Sequence, residues 1–164
     1  MKKKQNNYAF IDGTNLHRST LEMGWKLDTK KFRRYLEEVY GVAKAYYFIG
    51  RVESNQRLYD TLKSRGYELV FKETYIDKDG KLKGNVDPEL VLQAMTDYRV
   101  YREAIIVTSD GDFACLVKYL RQKNKLRSVI ASSRGGCSHL LEQEAGPYIC
   151  YMDELRKKLE YLKY

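Results

Sequence analysis

Short apolar runs alternate with stretches of helical periodicity along most of the chain. The runs at 8–11, 43–49 and 104–107 are nearly continuous, which is typical of strands buried on both faces of a sheet. Shorter runs predict further strands at 67–71, 127–131 and 148–151. Apolar positions at helical spacing predict helices over 28–40, 55–64, 87–98, 113–120, 138–144 and 153–162. This alternation predicts an α/β fold with a mostly parallel sheet flanked by helices on both faces, and 164 residues suit a single domain over 1–164.

Turn and capping residues refine this pattern. Asp79 and Gly80, between strand-like arms at 74–77 and 81–83, predict a basic hairpin. A calcium loop is excluded there because a lysine stands at the next ligand position. Asp28, Asp87 and Asp153 are placed to cap the helices that follow them.

Charge and cysteine content narrow the class of protein. The formal net charge of +8 attracts polyanions, so nucleic acid is the obvious partner, although charge that merely maintains solubility explains the number equally well. Three cysteines without CxxC spacing favour neither a disulfide framework nor a zinc site. Lys2, Lys3 and Lys4 precede polar residues rather than the apolar stretch of a signal peptide, and no window reaches transmembrane length. A cytoplasmic protein is therefore expected.

Four carboxylates share one kind of position. Asp12 and Asp110 come directly after or close behind predicted buried strands, Asp112 lies two residues further on, and Asp87 begins the helix that leads to the strand at 104–107. If the fold brings them together, each close pair repels by roughly 4 kcal/mol at 4 Å in an effective dielectric of about 20. Mg²⁺ or Mn²⁺ would relieve that repulsion through oxygen ligands. The sequence therefore suggests a metal site at the strand ends.

Each carboxylate also has a structural alternative. Asp87 before Pro88 is a good helix cap, and Asp112 is placed to cap a helix that begins at the next residue. Asp12 and Asp110 are harder to explain in this way, because an acid after a buried run has no routine structural role. Asn15 either makes a turn or orients a substrate phosphate.

Three segments carry a family resemblance: FIDGTN at 10–15, KGNVDPELVL at 83–92 and VTSDGDF at 107–113. In this order and spacing they resemble the NYN domain, a branch of the PIN-like nucleases. The resemblance implies a Rossmann-like α/β domain with an acidic, Mg²⁺- or Mn²⁺-dependent site that cuts RNA. It would make metal ligands of Asp12, Asp87, Asp110 and Asp112, with Asn15 and Ser109 lining the site. Towards the end of the chain the pattern departs, since Gly146 rather than an aspartate follows Ala145.

Basic side chains near predicted strand ends are candidates for substrate binding. Arg18, Lys83 and Arg134 are placed to contact RNA phosphates, contacts that give affinity without reading sequence. Most of the 15 tyrosines are expected to be structural, and His17 and His139 are expected to be structural or solvent-facing.

Two functions remain open at this point. The first is a metal-dependent ribonuclease, and the second is an RNA-binding module that keeps the fold and the acids without turnover. A haloacid-dehalogenase-like phosphatase, suggested by Asp12, Gly13 and Thr14, is excluded because Phe10 stands where its nucleophilic aspartate belongs. The oligomeric state is left open, a homodimer included.

Overall fold

Six parallel strands form one sheet in the computed structural model, which describes residues 5–163. The three lysines at 2–4 lie outside this described part. The sheet order is β3-β2-β1-β6-β7-β8, and β4 and β5 pair separately as an antiparallel hairpin. The strands are β1 (Asn7–Asp12), β2 (Val42–Gly50), β3 (Tyr67–Lys72), β4 (Tyr75–Ile76), β5 (Leu82–Lys83), β6 (Ala104–Val107), β7 (Leu126–Ala131) and β8 (Ile149–Tyr151).

Helices cover both faces of the sheet, which confirms the predicted α/β architecture. They are α1 (Gly13–Met23), α2 (Thr29–Tyr40), α3 (Gln56–Ser64), α4 (Asp87–Thr96), α5 (Ala114–Gln122), α6 (His139–Ala145) and α7 (Arg156–Leu159). Successive side chains of a strand point to opposite faces. In β1, Tyr8 and Phe10 therefore pack in the cluster that contains residues of α4, α5 and α6. Ala9 and Ile11 pack in the cluster of α1, α2, α3 and α7.

The strand order reverses at β1. From β1 the chain moves outward through β2 and β3, and it then returns to β6 on the other side of β1 and moves outward through β7 and β8. In open α/β sheets such a reversal leaves a crevice at the carboxyl ends of the two strands, where ligands bind. Here β1 ends at Asp12 and β6 at Val107, so the crevice lies beside two of the three motifs.

Helix α1 is an element that the apolar pattern does not predict. Its buried residues are Gly13, Leu16 and Ser19, so small and polar side chains form most of its inward face. Helix α2 is confirmed together with its cap, because the Asp28 carboxylate accepts hydrogen bonds from the backbone N–H of Lys30 and Lys31. The helix ends at Gly41 in the left-handed conformation, where a residue without Cβ is favoured.

Two predicted caps are wrong. Helix α4 begins at Asp87 itself, and Val86 occupies the cap position without a side-chain hydrogen bond. Asp153 lies in a 3₁₀ turn at Met152–Leu155, where its carboxylate accepts a 2.9 Å hydrogen bond from the Trp25 indole. The last helix shortens accordingly to four residues, and Leu162 is exposed rather than buried. The apolar spacing of the helices at 28–40 and 87–98 also predicts inward positions for Val39 and Met95, and both are exposed.

The hairpin forms as expected, with Tyr75 opposite Lys83 and Ile76 opposite Leu82. Its turn is held by the Asp77 carboxylate, which accepts hydrogen bonds from the backbone N–H of Asp79 and Lys81. Within residues 5–163, no helix has the combination of length and apolar composition that crossing a bilayer requires.

Candidate metal centre

Asp12 ends the central strand and caps the helix that follows it. The side chain is only 3% exposed, and its two oxygens have different partners. Oδ1 accepts a 3.2 Å hydrogen bond from the Asn15 backbone N–H, and Oδ2 accepts one of 3.0 Å from the Thr108 hydroxyl. The carboxylate thus has a structural role as the α1 cap, contrary to the expectation that it had none.

Asp110 lies three residues beyond the end of β6, in the turn that leads to α5. It caps the 3₁₀ turn at Gly111–Phe113 by accepting a 2.9 Å hydrogen bond from the backbone N–H of Asp112. Its own backbone N–H donates to the Thr108 hydroxyl at 3.1 Å. Thr108 therefore connects both acids, and it is a residue of the site that the sequence reasoning missed. Its position directly between a buried strand and the acidic turn is the signal that was available.

Asp87 approaches from the first turn of α4. Its backbone N–H donates to the side chain of Asn85, and its carboxylate is half-buried. One ligand oxygen from each of Asp12, Asp87 and Asp110 lies within 4.8 Å of the others. The fold thus brings three of the four predicted acids together. Asp112 lies on the rim of the site, is exposed and stands outside this group of three.

The pKa values of the acids reflect burial and mutual repulsion. Burial raises the pKa of Asp12, and the charge of Asp110 adds to this, while the bonds from Asn15 and Thr108 and the charge of Arg18 act in the opposite direction. Burial also raises the pKa of Asp87 to about 6, with further contributions from the charges of Asp12, Asp110 and Asp112. The cluster therefore carries more negative charge than its surroundings compensate.

This donor set fits a hard divalent cation. Carboxylate oxygens from separate elements are typical ligands of Mg²⁺ and Mn²⁺. Among the described residues, none of the acids of the cluster forms an ion pair with a lysine or arginine. A cation is thus the charge that the cluster lacks.

Asn15 and Ser109 hold the loops around the acids together. The Asn15 side-chain oxygen accepts a 2.9 Å hydrogen bond from the Ser109 backbone N–H, which ties α1 to the end of β6. The Ser109 hydroxyl donates to Ser132 Oγ and accepts from the Ser132 backbone N–H, both at 2.8 Å. Both residues lie beside the acids, as predicted, but their observed contacts are within the protein.

The three predicted basic residues differ in their surroundings. Arg18 is exposed on α1, and its charge is close enough to lower the pKa of Asp12. Lys83 lies in the hairpin, where its Nζ is 3.7 Å from Oδ2 of Asp77. Arg134 pairs with Glu154 at 3.0 Å and stacks on the Tyr151 ring. Of the three, Arg18 is the one whose charge acts on the acid cluster.

Two close backbone approaches complete the site. A Cβ at Gly13 would lie 2.4 Å from the Tyr47 ring, so glycine is required where the chain leaves β1. A Cβ at Gly111 would meet the Ser138 hydroxyl at 2.4 Å, and the Ser138 backbone N–H donates to the Ser109 carbonyl at 3.0 Å. Ser138 thus lies against the turn that carries Asp110 and Asp112.

Comparison with known proteins identifies the family. The family model described as the NYN domain matches residues 8–152. The chain belongs to the NYN domain family. The match includes all three motifs from which the resemblance was drawn, and in this NYN domain those motifs supply the ends of β1 and β6 and the start of α4.

Two further comparisons concern individual proteins. It is 27% identical over 161 residues to "Low amplitude and bright protein LabA" from Synechococcus elongatus, an alignment that covers 92% of this chain and 86% of LabA. A crystal structure of VPA0982, a protein of unknown function from Vibrio parahaemolyticus, superposes with a TM-score of 0.81 at 19% identity. That superposition covers 98% of this chain and 99% of VPA0982, and it shows that the two share a fold.

Proposed function

We propose that this NYN domain is a metal-dependent ribonuclease that hydrolyses RNA phosphodiester bonds. The observation that carries the proposal is the convergence of Asp12, Asp87 and Asp110. One carboxylate oxygen of each lies within 4.8 Å of the others. Among the described residues, none of the three acids forms an ion pair with a lysine or arginine. The nuclease-like fold of the family and the position of the acids at the strand reversal support the same activity.

The three converging acids would hold Mg²⁺ or Mn²⁺. A bound cation of this kind supplies an activated water and stabilises charge on a phosphodiester. Asp112, on the rim, adds negative charge beside Asp87 and is proposed to act as an outer ligand. Burial first, and then the charges of Asp12, Asp110 and Asp112, raise the pKa of Asp87 to about 6, and a bound cation would offset both effects.

The remaining side chains would position these acids and the RNA. Thr108 orients a carboxylate oxygen of Asp12 and the backbone of Asp110. Arg18 is exposed next to Asp12 and is proposed to contact a substrate phosphate. Asn15 and Ser109 would line the path of that phosphate.

Lys83 and Arg134 are proposed as further phosphate contacts, formed when the RNA replaces their partners Asp77 and Glu154. Ion pairs between exposed side chains contribute little energy, so this exchange costs little. We propose the cytoplasm as the place of action, where RNA is available and the three free thiols stay reduced.

The test measures metal binding and RNA cleavage in the same variants. Asp12→Asn and Asp110→Asn should each abolish the rise in melting temperature that Mn²⁺ causes, and each should reduce cleavage of labelled RNA by at least about 1,000-fold. Glu37→Gln removes an exposed acid on α2 and is the matched control, with both properties unchanged.

Three outcomes separate the alternatives. Cleavage that persists in both asparagine variants would contradict the proposal. Loss of Mn²⁺ binding together with loss of cleavage supports it. RNA that is bound but stays intact over a wide range of Mn²⁺ concentrations would instead identify an RNA-binding module without turnover.

A further inference from the structure

Helices α4 and α5 both lead away from the acid cluster. Asp87 is the first residue of α4, and Asp112 lies two residues before α5. Because α4 precedes β6 and α5 follows it, both helices start at the carboxyl edge of the sheet and end at the opposite edge, on the same face. The acids therefore stand at one end of a pair of parallel helices.

An open groove with a volume of about 600 Å³ begins between these helix starts. It is bounded by Asp87 and Asp112 and continues along α4 over apolar side chains. Leu92 and Met95 line it and are 68% and 38% exposed. With Pro88 and Val91 they stand three or four residues apart, so they form one stripe along the helix. Tyr98 lies one turn beyond Met95 and its ring is 6.1 Å from that of Tyr119 on α5. We call the groove together with the Tyr98 and Tyr119 rings the α4–α5 groove.

Aromatic and basic side chains stand at the far end of the helices. The rings of Tyr98, just beyond α4, and Tyr119, on α5, lie 6.1 Å apart. Lys125 Nζ lies 4.8 Å from the centre of the Tyr98 ring, and Lys123 Nζ lies 5.7 Å from that of Tyr119. Tyr119 is 39% exposed, and Arg99 on the adjoining turn is exposed.

This end of the molecule has an excess of positive charge. In the part of the chain that the structure describes, neither Lys123 nor Arg99 forms an ion pair. Of the nearby acids, Asp97 already accepts hydrogen bonds from the Tyr46 hydroxyl and Gln93. An unpaired cation beside an exposed ring, here Lys123 beside Tyr119, is a combination with which proteins bind unpaired bases and their phosphates.

We infer that the α4–α5 groove binds single-stranded RNA, with its bases on the apolar stripe and on Tyr119 and its phosphates at Lys123 and Arg99. The inference rests on the proposed function in taking RNA as the partner. Single strands are favoured because stacking on an exposed ring requires an unpaired base. An anionic membrane fits less well, because a lipid headgroup offers no aromatic face that would stack on Tyr119.

The distance between the acids and Tyr119 sets the shortest RNA that can contact both. From Asp112 to Tyr119 the chain advances seven residues, or roughly 10 Å along a helix. Twelve nucleotides span about 40 Å even at the stacked rise of 3.4 Å, so such an RNA reaches both the acids and the far end of the groove.

The experiment measures binding in EDTA, where no cleavage occurs, by fluorescence anisotropy of a labelled 12-nucleotide oligouridylate. Tyr119→Ala should weaken binding by roughly tenfold, while Tyr119→Phe keeps the ring and should stay within about twofold of the wild type. Leu92→Glu should also weaken binding. Its matched control is Leu21→Glu, which changes a 70% exposed leucine on the opposite face and should have no effect.

The phosphate contacts are tested through salt dependence. Arg99→Ala combined with Lys123→Ala should lower the slope of log affinity against log salt by about 1.4, that is, by about 0.7 for each lost contact. Lys30→Ala combined with Lys63→Ala removes the same charge from exposed positions of α2 and α3. This double variant should lower the slope less. Equal slopes for the two double variants would overturn the inference.

The two proposals fail in different ways. If Tyr119→Ala and Leu92→Glu bind the oligouridylate as tightly as the wild type does, the inference about the groove is overturned. The nuclease proposal is unaffected by that result. Binding to phosphatidylserine vesicles without binding to the oligouridylate would also overturn the inference about the groove. RNA that binds through the groove but stays intact in Mn²⁺ would support this inference and contradict the proposed activity.

Discussion

Thr108 connects the acids that follow the two central strands. Its hydroxyl donates to Asp12 at 3.0 Å and accepts from the Asp110 backbone at 3.1 Å. A hydroxyl that orients a ligand in this way contributes to metal affinity without touching the metal.

Thr108→Val keeps the shape of the side chain and removes both hydrogen bonds. We expect Mn²⁺ affinity to fall by about tenfold or more and the free energy of unfolding to fall by about 1–2 kcal/mol, because a buried carboxylate loses a donor. Calorimetric titration with Mn²⁺ and urea unfolding measure the two effects. Thr108→Ser, which keeps the hydroxyl, should retain the affinity; equal losses in both variants would exclude this role.

The ionised Asp87 carboxylate lowers the free energy of unfolding, and the size of this cost depends on pH. Its pKa in the folded protein is about 6, above the ordinary value of 3.8, so the folded protein binds this proton more tightly than the unfolded chain. The cost is fully present above pH 6 and disappears as the pH falls towards about 4.

Asp87→Asn should therefore stabilise the metal-free protein at pH 7.5. With the shift reduced for solvent screening at this half-exposed group, the expected gain is about 1 kcal/mol, and it should vanish near pH 4. Urea unfolding in EDTA at several pH values measures it. A destabilised variant at pH 7.5 would show that the burial and repulsion of the Asp87 charge are not the dominant effect of this substitution.

At the scale of elements, the start of α1 depends on a residue without a side chain. Gly13 passes so close to Tyr47 and the Phe48 carbonyl that a methyl group would lie 2.4 and 2.7 Å from them. Because Asp12 caps this helix, the same crowding would move a proposed ligand.

Gly13→Ala should lower the free energy of unfolding by about 1–3 kcal/mol and weaken Mn²⁺ binding, since the strand or the helix must shift. Gly135→Ala is the matched control, because a Cβ there has no neighbour within 4 Å among the described residues. Thermal unfolding of the two variants tests the difference, and equal melting temperatures would contradict it.

At the scale of the whole molecule, the sequence predicts those helices and strands that follow from apolar periodicity. Buried strands are visible as apolar runs, and the alternation with helices predicts the parallel sheet that the structure shows. Helix α1 escapes this reasoning because Gly13 and Ser19 form part of its buried face. The cap at Asp87 is wrong because the preceding turn, closed by Asn85, moves the helix start by one residue.

The sequence likewise predicts only some residues of the site. Asp12 and Asp110 are found from the strands that they follow, and the structure brings Asp87 to them. The rim position of Asp112 depends on the 3₁₀ turn at Gly111–Phe113, and the ion pair of Lys83 depends on the register of the hairpin; periodicity reveals neither. The ion pair of Arg134 depends on Glu154, 20 residues away. Thr108 is missed for the same reason, since its role depends on an acid 96 residues away.

The bond between Trp25 and Asp153 has a consequence for how unfolding can be observed. Trp25 is the single tryptophan of the chain, is buried, and is held by a carboxylate 128 residues further along. Close by, Leu27 pairs with Glu160, so the connection between α1 and α2 is tied to the last turns of the chain. The intrinsic fluorescence of the protein, excited at the indole, therefore reports the attachment of its C-terminal segment.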